Sequence, residues 1–291
     1  MTSVRSDRPR PRPRAPAGRL KTVTSLANPL VKQIRGLALS KNRKESGLFV
    51  AEGLKLVTDA LDRNWPISIF VYAAKAGDQP AVERAAALAR ARGADILAVS
   101  DAVLGKIARR DNPQTVLGVF EQRLAPPEAI RARDSALWVG LEGVKDPGNL
   151  GTIIRTADAV GAEGVLLIGE TVDPFSVEAV RATMGSIFHV PVARMSVREF
   201  LNWRSTWRGM VVGTHLSGRR DYRDVDYRRP VLLLMGNEQS GLPDSLADAC
   251  DALVRIPQAG RADSLNLAVA TAVMLFEIRR DVLSLPPEAG R

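Results

Sequence analysis

Val231-Leu232-Leu233-Leu234-Met235-Gly236-Asn237-Glu238-Gln239-Ser240-Gly241-Leu242 opens on five consecutive apolar residues after Pro230 and ends in a loop whose carboxylate lies between two glycines. The run has the length of a strand and falls far short of the roughly 18 residues that cross a bilayer. Two readings of the loop stand side by side. It suits a ligand-wrapping turn at a strand end, and it equally makes an ordinary turn before a helix capped by Ser240 or Asp244.

Outward from this strand the pattern alternates. Strands are expected at Leu137 to Leu141, Gly164 to Ile168, Phe188 to Val192, Gly209 to Gly213 and Ala252 to Ile256. Helices are expected at Leu150 to Val160, Ser176 to Ile187, Val197 to Thr206 and Leu265 to Val282. The N-terminal half repeats the rhythm, with strands at Leu48 to Ala51, Ile67 to Tyr72, Asp95 to Val99 and Thr115 to Phe120. Its helices fall at Pro29 to Leu39, Leu54 to Leu61, Ala81 to Arg92 and Ala102 to Arg109, the last with Asp101 as a plausible cap. Leu124 to Asp134, with Pro126, Pro127, Arg131 and Arg133, breaks the apolar pattern. The expectation is two tandem α/β domains with mainly parallel sheets. They would span residues 21–125 and 135–286, joined by a linker at 126–134 and preceded by a disordered Arg/Pro tail at 1–20.

Of 291 residues, 41 are Lys or Arg and 32 Asp or Glu, a formal charge of +9. Residues 1–20 carry +5, residues 21–125 carry +6 and residues 126–291 carry −2. A basic module ahead of a near-neutral one suits capture of a polyanion, because phosphate contacts give affinity without reading sequence. The tail, with Pro at nearly every second position, also fits a plain solubilising segment. With 45% apolar residues the chain is not wholly disordered. A single cysteine, Cys250, and two histidines, His189 and His215, exclude an internal disulfide and the usual four-ligand zinc cluster. No metal site, no membrane span and a cytoplasmic location are expected.

Two further loops bear on chemistry. Asp146-Pro147-Gly148-Asn149-Leu150-Gly151 joins a strand to the helix carrying Arg155; it suits close approach of the backbone to a ligand with the Arg155 fork aimed at the same opening, and it equally reads as a tight turn with Asn149 as cap and Arg155 as a surface partner of Asp158. Ile256-Pro257 precedes Ser264-Leu265-Asn266 at the head of an Ala-rich helix, with Ser264 a natural cap. In this order the three loops resemble the signature motifs of the SpoU/TrmH group of the SPOUT superfamily of RNA methyltransferases. The first motif is Asn149, Gly151 and Arg155; the second is Gly236, Glu238 and Gly241; the third is Ile256, Pro257, Ser264, Leu265 and Asn266. Arg181 to Ser186 resembles the helix that precedes that group's short Pro-Val strand. Gln258 stands where Met is frequent, and Ala268 where Ser is. The N-terminal half, through Asn28-Pro29-Leu30-Val31-Lys32, Arg43 and Gly47 to Gly53, resembles a ribosomal-protein-like substrate-binding domain.

The resemblance implies a trefoil-knotted C-terminal domain that binds S-adenosylmethionine through Gly236, Ile256 and Leu265. Its activity would be 2′-O-methylation of an RNA ribose, most directly in large-subunit ribosomal RNA. Arg155, Asn149, Glu238, Ser264 and Asn266 would carry the reaction. Lys32, Arg35, Arg43 and Lys44 would contact RNA, and the active site would be shared across a homodimer, with Arg155 serving the partner's cofactor. Because guanidinium does not deprotonate, Arg155 is expected as a phosphate and alkoxide clamp rather than a base. Competing readings are a tRNA ribose methyltransferase, a base methyltransferase, a non-catalytic RNA binder on the same fold, and a dinucleotide oxidoreductase using Gly148, Gly151 and Glu170. The last lacks a full G-x-G-x-x-G and leaves two motifs unexplained.

Overall fold

The computed structural model describes residues 18–285 apart from 135, 228, 229 and 262. The tail expected at residues 1–20 lies outside the described residues up to residue 17. Its last three residues belong to the fold: the Arg19 N–H donates to the Asp95 carboxylate at 3.0 Å, and Leu20 begins a strand opposite Ile96.

The N-terminal module runs β1 (Leu20–Val23), α1 (Pro29–Gly36), α2 (Ser40–Ser46), β2 (Leu48–Glu52), α3 (Leu54–Asp62) and β3 (Ile67–Ala73). It continues through α4 (Pro80–Ala91), β4 (Asp95–Val99), α5 (Asp101–Ala108) and β5 (Val116–Glu121). Its sheet has the order β1-β4-β3-β5-β2. The β1/β4 and β3/β4 pairs are parallel, whereas β5 runs antiparallel to both β3 and β2, so the sheet is mixed rather than mainly parallel. The reason is α5. It covers only about 12 Å, and β5 starts with Val116 opposite Tyr72, at the carboxyl end of β3 that a parallel crossover would have left behind. The helix expected over Pro29 to Leu39 ends at Gly36, a second helix not expected follows at Ser40–Ser46, and Ser100 rather than Asp101 caps α5.

The C-terminal module follows as β6 (Leu137–Glu142), α6 (Pro147–Ala159), β7 (Gly164–Ile168), α7 (Val177–Ala182), β8 (Val192–Met195) and α8 (Val197–Arg204). Then come β9 (Met210–Thr214), β10 (Arg220–Asp221), β11 (Val231–Met235), α9 (Asp244–Ala247), β12 (Ala252–Arg255) and α10 (Leu267–Ile278). The sheet order is β10-β12-β9-β11-β6-β7-β8 with every pairing parallel. β11 lies centrally and all five of its residues are buried, as its unbroken apolar run requires. The strand expected at Phe188 to Val192 starts instead at Val192. Pro191 has no N–H to give a ladder, and Ser186 to Phe188 form a 3-10 turn after the left-handed Met184 and Gly185.

The two sheets share one hydrophobic core. Phe49 of β2 lies 4.8 Å, between ring centroids, from Phe175, and Phe120 of β5 lies 5.2 Å from Phe188. Trp65 packs edge-on to Phe188 at 5.2 Å. Two ion pairs flank this cluster. Arg43 donates from Nε to Asp173 at 2.8 Å and from Nη1 to the carbonyls of Leu37 and Ala38. Arg181 of α7 donates from Nε to Glu52 at 2.8 Å and from Nη2 to the Ala108 carbonyl.

This geometry corrects one expectation. Arg43 does not face RNA: its side chain is 4% exposed and its donors are occupied by the seam. Lys32, Arg35 and Lys44 do lie exposed on α1 and α2. Removing one partner of a buried, hydrogen-bonded pair strands the other charge, so Arg43→Ala should cost about 3 kcal/mol. Lys44→Ala next to it should stay within about 0.5 kcal/mol. Urea denaturation of both variants checks the contrast, and equal midpoints would refute it.

Candidate functional site

Three strands of the parallel sheet end around one cavity. Its walls come from Thr214 and His215 at the end of β9, Met235 to Gly241 at the end of β11, and Arg255, Ile256 and Gln258 at the end of β12, closed by Ser264, Leu265 and Leu267. The cavity measures about 410 Å³, within the range of small-molecule sites. Carboxyl ends of parallel strands are where such sites form, because the connecting loops there leave the sheet and can diverge.

The loop after β11 is shaped by its own polar groups. Asn237 accepts the N–H groups of Gln239 and Ser240 at 3.0 and 2.9 Å and donates to Glu142 at 3.3 Å. A Cβ on Gly236 would collide with the backbone of Gly241 and Leu242, and Gly241 has φ +70°. Both glycines therefore answer to a chain that folds back on itself. Neither Ser240 nor Asp244 caps α9, whose first turn follows Pro243.

Leu265 reaches the cavity because α10 starts two residues later than its apolar pattern implies. Asn266, not Ser264, is the cap, its side-chain oxygen accepting the N–H groups of Ala268 and Val269 at 2.9 and 3.3 Å. That leaves Ser264 and Leu265 in the loop, on the cavity wall.

Asn149 joins the three motifs. Its Nδ2 donates to Glu238 at 2.8 Å, and its Oδ1 accepts from Nδ2 of Asn266 at 2.9 Å. The expected caps are shifted here too: Asp146 caps α6, leaving the Asn149 side chain free to bridge. Gly151 serves packing, since a Cβ there would strike the Ala179 carbonyl and Ala182 of α7. A phosphate turn at Gly148 to Gly151 is thus not built, and the cavity lies at other strand ends.

Arg155 stands apart from this group. Six residues along a helix turn it roughly 120° from Asn149, and it lies exposed, outside the lining of the cavity. Its guanidinium makes no hydrogen bond or ion pair among the described residues; Asp158, its expected surface partner, accepts from Ser186 at 2.7 Å. On neighbouring α10, Val269 and Phe276 are 51% and 52% exposed and form one stripe with the half-buried Ala272 and Val273.

The residues present fit S-adenosylmethionine. Ile256, Leu265 and Leu267 offer apolar walls to a base, while the Glu238 and Asp263 carboxylates complement a cationic donor. Thr214 and His215 also line the cavity, and the sequence reading missed them by ending its strand at Gly213. Their position at a parallel strand's carboxyl end was the available signal. Cys250 offers no nucleophile, since burial pushes its thiol up to about 12. No helix among the described residues is long and apolar enough to cross a membrane.

Residues 136–276 match the SpoU rRNA methylase family, and residues 28–118 match the MRM3-like substrate binding domain. A crystal structure of an AdoMet-bound rRNA methyltransferase from Sinorhizobium meliloti superposes with a TM-score of 0.87 at 56% identity, covering 92% of this chain and 100% of that one. The 23S rRNA (uridine(2479)-2′-O)-methyltransferase of Streptomyces viridochromogenes is 32% identical, over 93% of this chain and 95% of its own. The 23S rRNA (guanosine(2553)-2′-O)-methyltransferase RlmP of Bacillus subtilis is 29% identical over 89% of this chain and 100% of its own. With both modules matched and the three motif loops gathered at one cavity, the chain belongs to the SpoU rRNA methylase family.

Proposed function

We propose that this chain transfers a methyl group from S-adenosylmethionine to a ribose 2′-hydroxyl of large-subunit ribosomal RNA. The observation that carries it is the Glu238–Asn149–Asn266 bridge, which ties the three motif loops together at the cavity that fits the donor. The Streptomyces and Bacillus relatives act on different bases by their names, uridine and guanosine, so what they share is the ribose. The trefoil knot of the family is part of this reading, as is work in the cytoplasm.

When bound, S-adenosylmethionine supplies a methyl group already activated on a sulfonium, which leaves the protein mainly with positioning. Gly236, Ile256 and Leu265 hold the donor. Glu238 and Asn266 fix the Asn149 amide, and Ser264 joins them in orienting the nucleotide. Arg155 clamps the adjacent phosphate and stabilises the alkoxide as it forms; a guanidinium supplies five fixed donors for this and accepts no proton.

Two features favour a homodimer in which Arg155 serves the partner's cavity: its outward position on α6, and the exposed apolar stripe on α10 packed beside it. A second copy covering that stripe would bring a guanidinium to each cavity from across a two-fold axis. Lys32, Arg35 and Lys44 on the basic N-terminal module supply phosphate contacts.

Labelled S-adenosylmethionine incubated with unmodified large-subunit ribosomal RNA should place label on a ribose, read as a nuclease-resistant 2′-O-methyl dinucleotide. Label on a base would contradict the reading. Arg155→Lys keeps the charge but loses the planar fork, and both it and Glu238→Ala are expected to lose at least about 100-fold in turnover. Mixed and allowed to exchange subunits, the two inactive variants should recover roughly a quarter of wild-type activity, because half the dimers carry one intact site. No recovery despite subunit exchange would place Arg155 in its own chain's site.

A further inference from the structure

Beyond the cofactor cavity, the seam between the modules holds a narrow cleft lined by Arg35 of α1, Arg109 after α5, Arg181 of α7 and Glu52 of β2. Arg110 also reaches Glu52, at 3.9 Å. Four guanidiniums thus line or reach a cleft that holds one carboxylate. Glu52 is already consumed: its Oε1 accepts the Gln114 N–H at 3.0 Å, its Oε2 takes Arg181, and its side chain is 3% exposed. Arg35 and Arg109 are exposed and make no side-chain hydrogen bond or ion pair among the described residues. The cleft therefore presents a local surplus of three positive charges with two guanidiniums uncommitted.

Arg109 carries a second mark. It ends α5 in the left-handed conformation, φ +56° and ψ 40°, where glycine or asparagine is the favourable residue. An arginine there costs backbone stability that a glycine would not.

We infer that this cleft seats a backbone phosphate of the RNA substrate, making the seam itself part of the substrate-binding surface. The inference rests on the RNA reading given above. The enclosed space of about 20 Å³ holds no more than one water, so the phosphate docks across the mouth, where Arg35 and Arg109 can each present a fork to its oxygens. Arg181, tied to Glu52, fixes the two walls relative to each other. The phosphodiester then rests on two arginines of the N-terminal module, right beside the Arg181–Glu52 tie to the C-terminal one.

Arg109→Gly separates this role from a structural one, since glycine relieves the left-handed backbone. The variant should keep or raise the thermal midpoint and keep S-adenosylmethionine affinity. Its affinity for large-subunit ribosomal RNA should fall about tenfold, with the salt slope reduced by about one. Arg84→Ala, which removes an exposed charge on α4, is the control and should change both far less. If wild type binds this RNA with a steep salt slope but Arg109→Gly behaves like Arg84→Ala, the seam site is refuted and the function stands. If wild type itself shows no salt-dependent RNA binding, both fall.

Discussion

Everything in this molecule depends on one packed seam. Phe49 and Phe120 of the N-terminal sheet and Phe175 and Phe188 of the C-terminal module form a single aromatic cluster, and burying rings of that size is among the strongest apolar contributions a fold can make. The Arg43–Asp173 and Arg181–Glu52 pairs add direction to that contact. Apolar burial holds the modules together at many angles; two hydrogen-bonded ion pairs on either side select one. A polyanion gripped by the N-terminal module is consequently presented at a fixed place relative to the cavity.

The cavity follows a similar logic on a smaller scale. Its walls are three loops that leave neighbouring strand ends, and loops of this kind are held only by what they bond to. Asn149 ties two of them, those after β11 and β12, through one amide that donates a hydrogen bond to Glu238 and accepts one from Asn266. Asn237 does the same within its own loop. Two asparagines thereby fix the loops after β11 and β12 at the cavity, and methyl transfer from an activated donor needs little besides such placement. Arg155 alone faces away, which gives the exposed face of α10 its significance.

Much of this was legible in the residues. The unbroken apolar run Val231 to Met235 announces a strand buried on both faces, and the resemblance of the three loops, taken together, to the SpoU/TrmH motifs points to Asn149, Glu238 and Asn266. Less legible was anything decided by a distant partner. β1 and the two-residue β10 are too short and polar to stand out, and the direction of β5 depends on where α5 leaves the chain. Arg43 sits in Ser-Lys-Asn-Arg-Lys-Glu-Ser, a polar string that reads as a solvated face; only closure of the seam buries it. Caps moved by one to three residues because several Asp, Ser and Asn compete locally for the same backbone donors. Asn149 was freed from capping by Asp146, and Asn266 took over from Ser264.

The shared core makes the two modules one cooperative unfolding unit. Hydrogen exchange with and without S-adenosylmethionine tests it directly, because the proposed donor site lies wholly in the C-terminal module. At a cofactor concentration 100 times Kd, linkage adds about 2.7 kcal/mol to whatever unfolds with the site. A shared core predicts that the slowest amides of β5, such as Phe120, gain the same protection as Leu233 of β11. Protection gained by Leu233 alone, with Phe120 unmoved, would contradict it.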